Sequence, residues 1–139
     1  MRKSLMVGNW KMNKNITESI SLINDLLESL NDYQKTEIVI CPPFTSLWVA
    51  RELIQDTNIL LGAQNFYFQN DGAYTGEISA RMLQNIGCDY VILGHSERRE
   101  YFQESSEDVA RKVQQALGFG LKPIICVGEK LREREEGIA

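Results

Sequence analysis

Five short apolar runs, each followed by a helix-patterned segment, constrain this chain more than any other feature. They are Ser4-Leu5-Met6-Val7, Glu37-Ile38-Val39-Ile40-Cys41, Asn58-Ile59-Leu60-Leu61-Gly62, Tyr90-Val91-Ile92-Leu93 and Lys122-Pro123-Ile124-Ile125-Cys126-Val127. None alternates apolar with polar; the second and fourth read as strands buried on both faces, and the first and fifth as strands at open, solvent-facing edges. The intervening segments carry helical signals. Asn15 and Glu18 form an N-terminal box ahead of a stripe of Ile16, Ile20, Ile23, Leu27 and Leu30. Thr45 is placed to cap a helix carrying Leu47, Trp48, Arg51, Leu53 and Ile54, and Ser79 to Ile86 reads as a helix stopped by Gly87. Ser105 with Asp108 opens a helix striped by Val109, Val113 and Leu117 and ended by Gly118, and Lys130 to Gly137 is a charged helical stub. The alternation predicts an α/β protein with a parallel sheet and crossover helices. Periodicity alone leaves open whether the sheet is doubly wound or part of a closed barrel.

Composition narrows the partners. The 139 residues carry a net charge of −4, which disfavours nucleic acid or an anionic membrane surface. No apolar run nears the roughly 20 residues that span a bilayer, and Met1-Arg2-Lys3 is followed by too short an apolar stretch for a secretory signal. Cys41, Cys88 and Cys126 are odd in number and widely spaced, as free thiols in a reducing cytosol would be. No linker or composition break divides the chain, so a single unit over residues 1–139 is expected.

In parallel α/β folds, ligands are met beyond the carboxyl ends of the strands. The first strand ends in Asn9-Trp10-Lys11, and the fourth runs through Gly94 into His95, the one histidine of the sequence, with Glu97 two residues on. Alone, such a histidine suits capping or packing as well as chemistry, and Lys11 suits an ordinary surface. Together they describe a site: an ammonium for a phosphate or developing oxyanion, and an imidazole that donates to a carbonyl. A helix starting just behind a histidine favours the uncharged ring. The segment from Gln64 to Gly76 is unusually long for a loop in a compact domain and contains Asn70-Asp71-Gly72 turn chemistry.

Other chemistries lack their residues. Gly118-Phe119-Gly120 precedes a strand and lacks the third glycine of a dinucleotide site. Gly94-His95-Ser96-Glu97-Arg98 has Arg98 where a nucleophile elbow needs glycine. His95-Ser96-Glu97 is followed by no paired cysteines of the deaminase type, so no metal site is expected. A receiver module would want carboxylates where Asn9-Trp10-Lys11 stands.

Five motifs, in order and close to the strand ends, resemble the triosephosphate isomerase family: Gly8-Asn9-Trp10-Lys11-Met12-Asn13, Cys41-Pro42-Pro43-Phe44, Gly72-Ala73-Tyr74-Thr75-Gly76-Glu77-Ile78-Ser79, Gly94-His95-Ser96-Glu97-Arg98-Arg99 and Cys126-Val127-Gly128-Glu129. That family is the type example of its barrel and of catalysis by a neutral imidazole. The resemblance implies a (β/α)8 TIM barrel of which this chain holds the first five β/α units. It implies cofactor-free interconversion of dihydroxyacetone phosphate and glyceraldehyde 3-phosphate, a step of glycolysis and gluconeogenesis, in the cytoplasm. Asn9, Trp10 and Lys11 would bind the small phosphorylated triose, His95 would polarise its carbonyl, and Glu97 would support Lys11 and the proton network. Thr75 would reach the active site of a second copy, making a homodimer through the long loop.

The family's general base, lid and glycine-rich phosphate cradle follow later strands, and a barrel of this kind takes about 250 residues. Residues 1–139 are therefore expected to be the amino-terminal portion of a single barrel domain, without isomerase activity alone. The alternative is a non-catalytic half-barrel interaction module, and a more distant one is another phosphosugar barrel enzyme, which the Thr75 loop and Asn9-Trp10-Lys11 disfavour.

Overall fold

The computed structural model describes residues 4–30 and 32–138. The outermost ends of the expected 1–139 unit thus lie outside the described residues. Five strands, β1 (Leu5–Asn9), β2 (Glu37–Cys41), β3 (Ile59–Ala63), β4 (Tyr90–Leu93) and β5 (Lys122–Ile125), alternate with helices. The helices are α1 (Ile16–Leu30), α2 (Phe44–Ile54), α3 (Ala80–Ile86), α4 (Ser96–Tyr101), α5 (Ser106–Gly118) and α6 (Leu131–Glu136). Every neighbouring strand pair is parallel, and the order across the sheet is the order along the chain. A doubly wound sheet reverses direction at a switch point. This one does not, so right-handed crossovers put the helices on one side and curve the strands into a half-barrel.

That curvature explains the uninterrupted apolar runs. Ile38, Ile40, Ile59, Leu61, Val91 and Leu93 pack outward on Ile23, Leu47, Ile54, Leu83 and Val109 of the helices. Val39, Cys41, Tyr90 and Ile92, with Val7, Leu60, Ile124 and Cys126, form the inner face. Gly62 belongs to the inner layer, where an added Cβ would stand 2.5 Å from the Cys41 sulfur. Below it, at the amino ends of the strands, the Tyr90 hydroxyl donates to Glu37 at 3.0 Å and the Lys122 ammonium lies 5.0 Å from the Tyr90 ring centre.

Local signals act where they were expected. Asn15 and Glu18 bond each other's backbone reciprocally at 2.9 Å, Ser105 and Asp108 form a complete capping box, and Gly87 ends α3 in the left-handed region at φ 90°. Those bonds from Ser105 also hold the Asp108 carboxyl below its ordinary range. Two boundaries differ. Pro43, not Thr45, stands at the start of α2, because its fixed φ of −55° starts the turn and its carbonyl accepts the Ser46 N–H at 2.9 Å. Asn58 lies outside β3, since its amide donates to the carbonyls of Leu30 and Tyr33 at 2.7 and 2.8 Å and closes the end of α1. Ile16 and Leu117 are exposed rather than buried in their stripes, each near a helix end.

Among the described residues, β1 pairs only with β2 and β5 only with β4, as expected of an open sheet. Met6 and Ile125 are correspondingly 65% and 47% exposed. Among the described residues, no helix is long and apolar enough to cross a membrane.

The three thiols differ in reach. Burial pushes Cys41 and Cys88 up to about 12, while Cys126 is raised less and is only partly buried. The thiolate is the nucleophile. Alkylation of the folded chain near pH 8, followed by mass spectrometry, is therefore expected to modify Cys126 first and the other two only on unfolding. Simultaneous modification of all three would contradict this packing.

Candidate active site

Each strand-end residue arrives by a different backbone device. Lys11 sits in the left-handed region at φ 55°, unusual for a side chain with a Cβ, and the Asn9 carboxamide accepts its N–H at 3.0 Å. The Trp10 N–H donates to the Cys41 carbonyl at 3.1 Å, which ties this loop to the end of β2. Gly94, at φ 69°, turns the chain out of β4, and an added Cβ there would meet Arg99 at 2.7 Å and Val109 at 2.9 Å. His95 then becomes the N-cap of α4.

The cap decides the ring's chemistry. His95 Nδ1 accepts the Glu97 backbone N–H at 3.2 Å. An accepting nitrogen carries no proton, so the neutral ring keeps its proton on Nε2. The Glu97 carboxylate is 3.6 Å from the same Nδ1, but the amide already occupies that lone pair. Its other oxygen accepts a charge-assisted bond from the Lys11 ammonium at 2.6 Å. That bond, aided by the Lys11 charge, holds Glu97 below the ordinary carboxylate range. The capping and the chemical readings of His95 are thus one geometry, not rivals.

Asn9, Lys11, His95 and Glu97 line one cleft of about 190 Å³, together with Met12, Phe44, Gln64, Asn65, Arg98 and Phe102. Trp10 does not. It packs against the helix-side core and lines a separate surface cleft with Asn13, Lys14, Glu18 and Leu22. Trp10 follows the last residue of β1 and points to the opposite side from Asn9, while Lys11, at φ 55°, is turned back toward the cleft. Gln64 was not anticipated. Its amide donates to the carbonyls of Lys11 and Cys41, both at 2.8 Å, and so fixes the first two loops together. Its place directly after β3 was the available signal.

Thr75 lies outside this cleft, at the exposed part of the loop between β3 and α3. The loop is ordered from within. Tyr67 stacks on Tyr74 and Phe68 at 4.7 and 4.3 Å, the Tyr67 N–H donates to Ile78 at 2.7 Å, and Arg81 pairs with Asp71 at 3.2 Å. Among the described residues, no three His, Cys, Asp or Glu side chains gather as a ligand set.

Comparison with known proteins identifies the family and the fold. The triosephosphate isomerase family profile matches residues 4–139. The triosephosphate isomerase of Dictyoglomus thermophilum is 53% identical over 137 residues, covering 99% of this chain and 55% of the relative. That of Carboxydothermus hydrogenoformans is 51% identical over 138 residues, with the same coverage. A crystal structure of triosephosphate isomerase from Bartonella henselae superposes with a TM-score of 0.93 at 43% identity, over 99% of this chain and 57% of that one. The chain spans about 55% of the length of the curated relatives it matches. With the half-barrel and its strand-end residues in place, the chain belongs to the triosephosphate isomerase family.

Proposed function

We propose that this chain carries the carbonyl-polarising and cation-bearing part of a site that interconverts dihydroxyacetone phosphate and glyceraldehyde 3-phosphate by proton transfer through an enediolate, without a cofactor. The carrying observation is that Lys11 and His95 share one cleft, with Nδ1 of the ring blocked by the Glu97 amide. The Nε2–H is then the ring's donor to a substrate carbonyl, and the Lys11 ammonium offsets phosphate or enediolate charge. Asn9 positions the Lys11 backbone, and Glu97 holds the ammonium in place. A base is still needed to move the proton between carbons. Residues 1–139 are read as the amino-terminal part of one barrel domain in the cytoplasm, paired with a second copy through the loop around Thr75. The ordered yet exposed loop supports that pairing.

A chimera tests the reading: residues 1–139 of this chain joined to the remaining portion of the Dictyoglomus thermophilum relative. It is expected to isomerise glyceraldehyde 3-phosphate as a dimer. His95→Gln should lower its kcat by roughly 10²–10³, and Lys11→Met should lower kcat/KM comparably. A folded chimera without activity sinks the catalytic reading, and an active monomer sinks the pairing. A non-catalytic half-barrel module is the second reading, favoured by the exposed Met6 and Ile125 at the open edges. It forecasts an inactive chimera.

A further inference from the structure

The most deeply buried charges in the described chain lie outside the residues assigned above. Lys112 on α5 and Glu104, between α4 and α5, have side chains only 5% and 3% exposed. The Lys112 ammonium donates to a Glu104 carboxylate oxygen and, at 2.9 Å, to the Asn65 carboxamide oxygen. Arg98 donates to the same Glu104 oxygen at 3.3 Å, and the Glu104 N–H returns to the Arg98 carbonyl at 3.2 Å. Just before it, Gln103 is held at φ 53°, so the backbone is bent into the left-handed region to present Glu104 inward.

Traced through the chain, these contacts close into a ring. Lys11 bonds Glu97, Glu97 adjoins Arg98, Arg98 bonds Glu104, and Glu104 bonds Lys112. Lys112 bonds Asn65, Asn65 adjoins Gln64, and Gln64 returns to the Lys11 carbonyl at 2.8 Å. One side of the ring is the first turn of α4, whose Glu97 amide selects the His95 tautomer. The opposite side is the root of the loop that carries Thr75.

We infer that Glu104 and Lys112 are positioning residues: they lock α4 to the root of the 64–79 loop, holding the Glu97 amide on His95 Nδ1 and the Glu97 carboxylate on Lys11. Stability alone is a weak reason for such a pair. Desolvating two charges costs about as much as their attraction returns, and well-packed apolar substitutes are often no less stable. What apolar substitutes lose is direction. They would fill the space between α5, α4 and Asn65 without fixing the turn of α4 to better than a rotamer. The inference rests on the role proposed for His95, but its readout requires no turnover.

The test is ¹⁵N NMR of His95 with amide hydrogen exchange at Glu97 in the 139-residue chain. In Glu104→Gln/Lys112→Met, a neutral pair of similar volume, His95 is expected to lose its single tautomer and show averaged ring nitrogens. The Glu97 amide should exchange at least about tenfold faster. Asn65→Ala, which cuts the ring while leaving Lys112 its carboxylate, should move both signals the same way and by less. Lys112→Arg should restore part of the difference. A folded double variant with unchanged ring nitrogens and Glu97 exchange overturns the inference, whatever happens to its melting temperature. If the double variant fails to fold, unchanged signals in Asn65→Ala overturn it. In the chimera, the same changes should fall on kcat more than on KM. Failure of the catalytic reading would remove activity there while leaving the spectroscopic result intact.

Discussion

Given glyceraldehyde 3-phosphate, the purified 139-residue chain is expected to show kcat/KM below about 10² M⁻¹ s⁻¹, against roughly 10⁴–10⁸ M⁻¹ s⁻¹ for ordinary enzymes. The reason lies in the cleft. Among the described residues, Glu97 is the only carboxylate lining it, and that group is held by Lys11 at 2.6 Å and kept ionised by the same bond. A carboxylate so engaged is a poor base and points at an ammonium rather than at a substrate carbon. General-base catalysis is worth roughly 10²–10⁴ in rate. An open half-barrel also leaves water at a site where developing charge must be met by fixed dipoles. What remains is a polarising imidazole and a counter-charge without a proton acceptor. A coupled assay at substrate concentrations up to several millimolar would check this. Turnover in the ordinary range would mean that Glu97 leaves Lys11 and acts as the base, and the roles assigned here would have to be exchanged.

The second large effect is association through the sheet edges. The outer sides of β1 and β5 present unpaired backbone groups among the described residues, and Met6, Ile125 and Val127 beside them are 65%, 47% and 87% exposed. Such edges template pairing with any compatible strand. Sedimentation of the 139-residue chain is therefore expected to show species larger than a monomer that grow between about 1 and 100 μM. Met6→Lys with Ile125→Lys places charge on both edges and should abolish growth beyond the pair formed through the Thr75 loop. A concentration-independent monomer in the unsubstituted chain would show that the edges are already blunted. Thr75→Glu separates the two contacts, because it leaves the edges untouched: it should weaken the pair formed through the loop while growth through the edges persists.

Much of this architecture could be read from neighbours a few residues apart. The Asn15–Glu18 and Ser105–Asp108 boxes and the left-handed Gly87 are set by residue types at fixed short spacing, so sequence alone locates them. The strands declared themselves by lacking alternation, and their ends pointed to Lys11 and His95. What escaped was decided from far away in the chain. Asn58 reads as a strand start until Leu30 and Tyr33 claim its amide. Lys112 sits next in line to a buried stripe and passes for a solvated charge until Glu104 and Asn65 enclose it. Trp10 is the instructive miss. Its place one residue past Asn9 at the end of β1 put it on the opposite side from Asn9, and its position in a familiar motif obscured that.

The way the strands end has a consequence of its own. Three of the five strands are halted by backbone devices: Lys11 at φ 55°, Pro42-Pro43 and Gly94 at φ 69°. How far the cleft sits above the packed inner layer is thus written in where extension is forbidden, not in how large the strand side chains are. Adding one residue ahead of Gly94 would raise the imidazole by about 3.3 Å and swing it to the helix side. Trimming Ile92 would only hollow the floor beneath it. Elevation and bearing of the chemistry are properties of the stops.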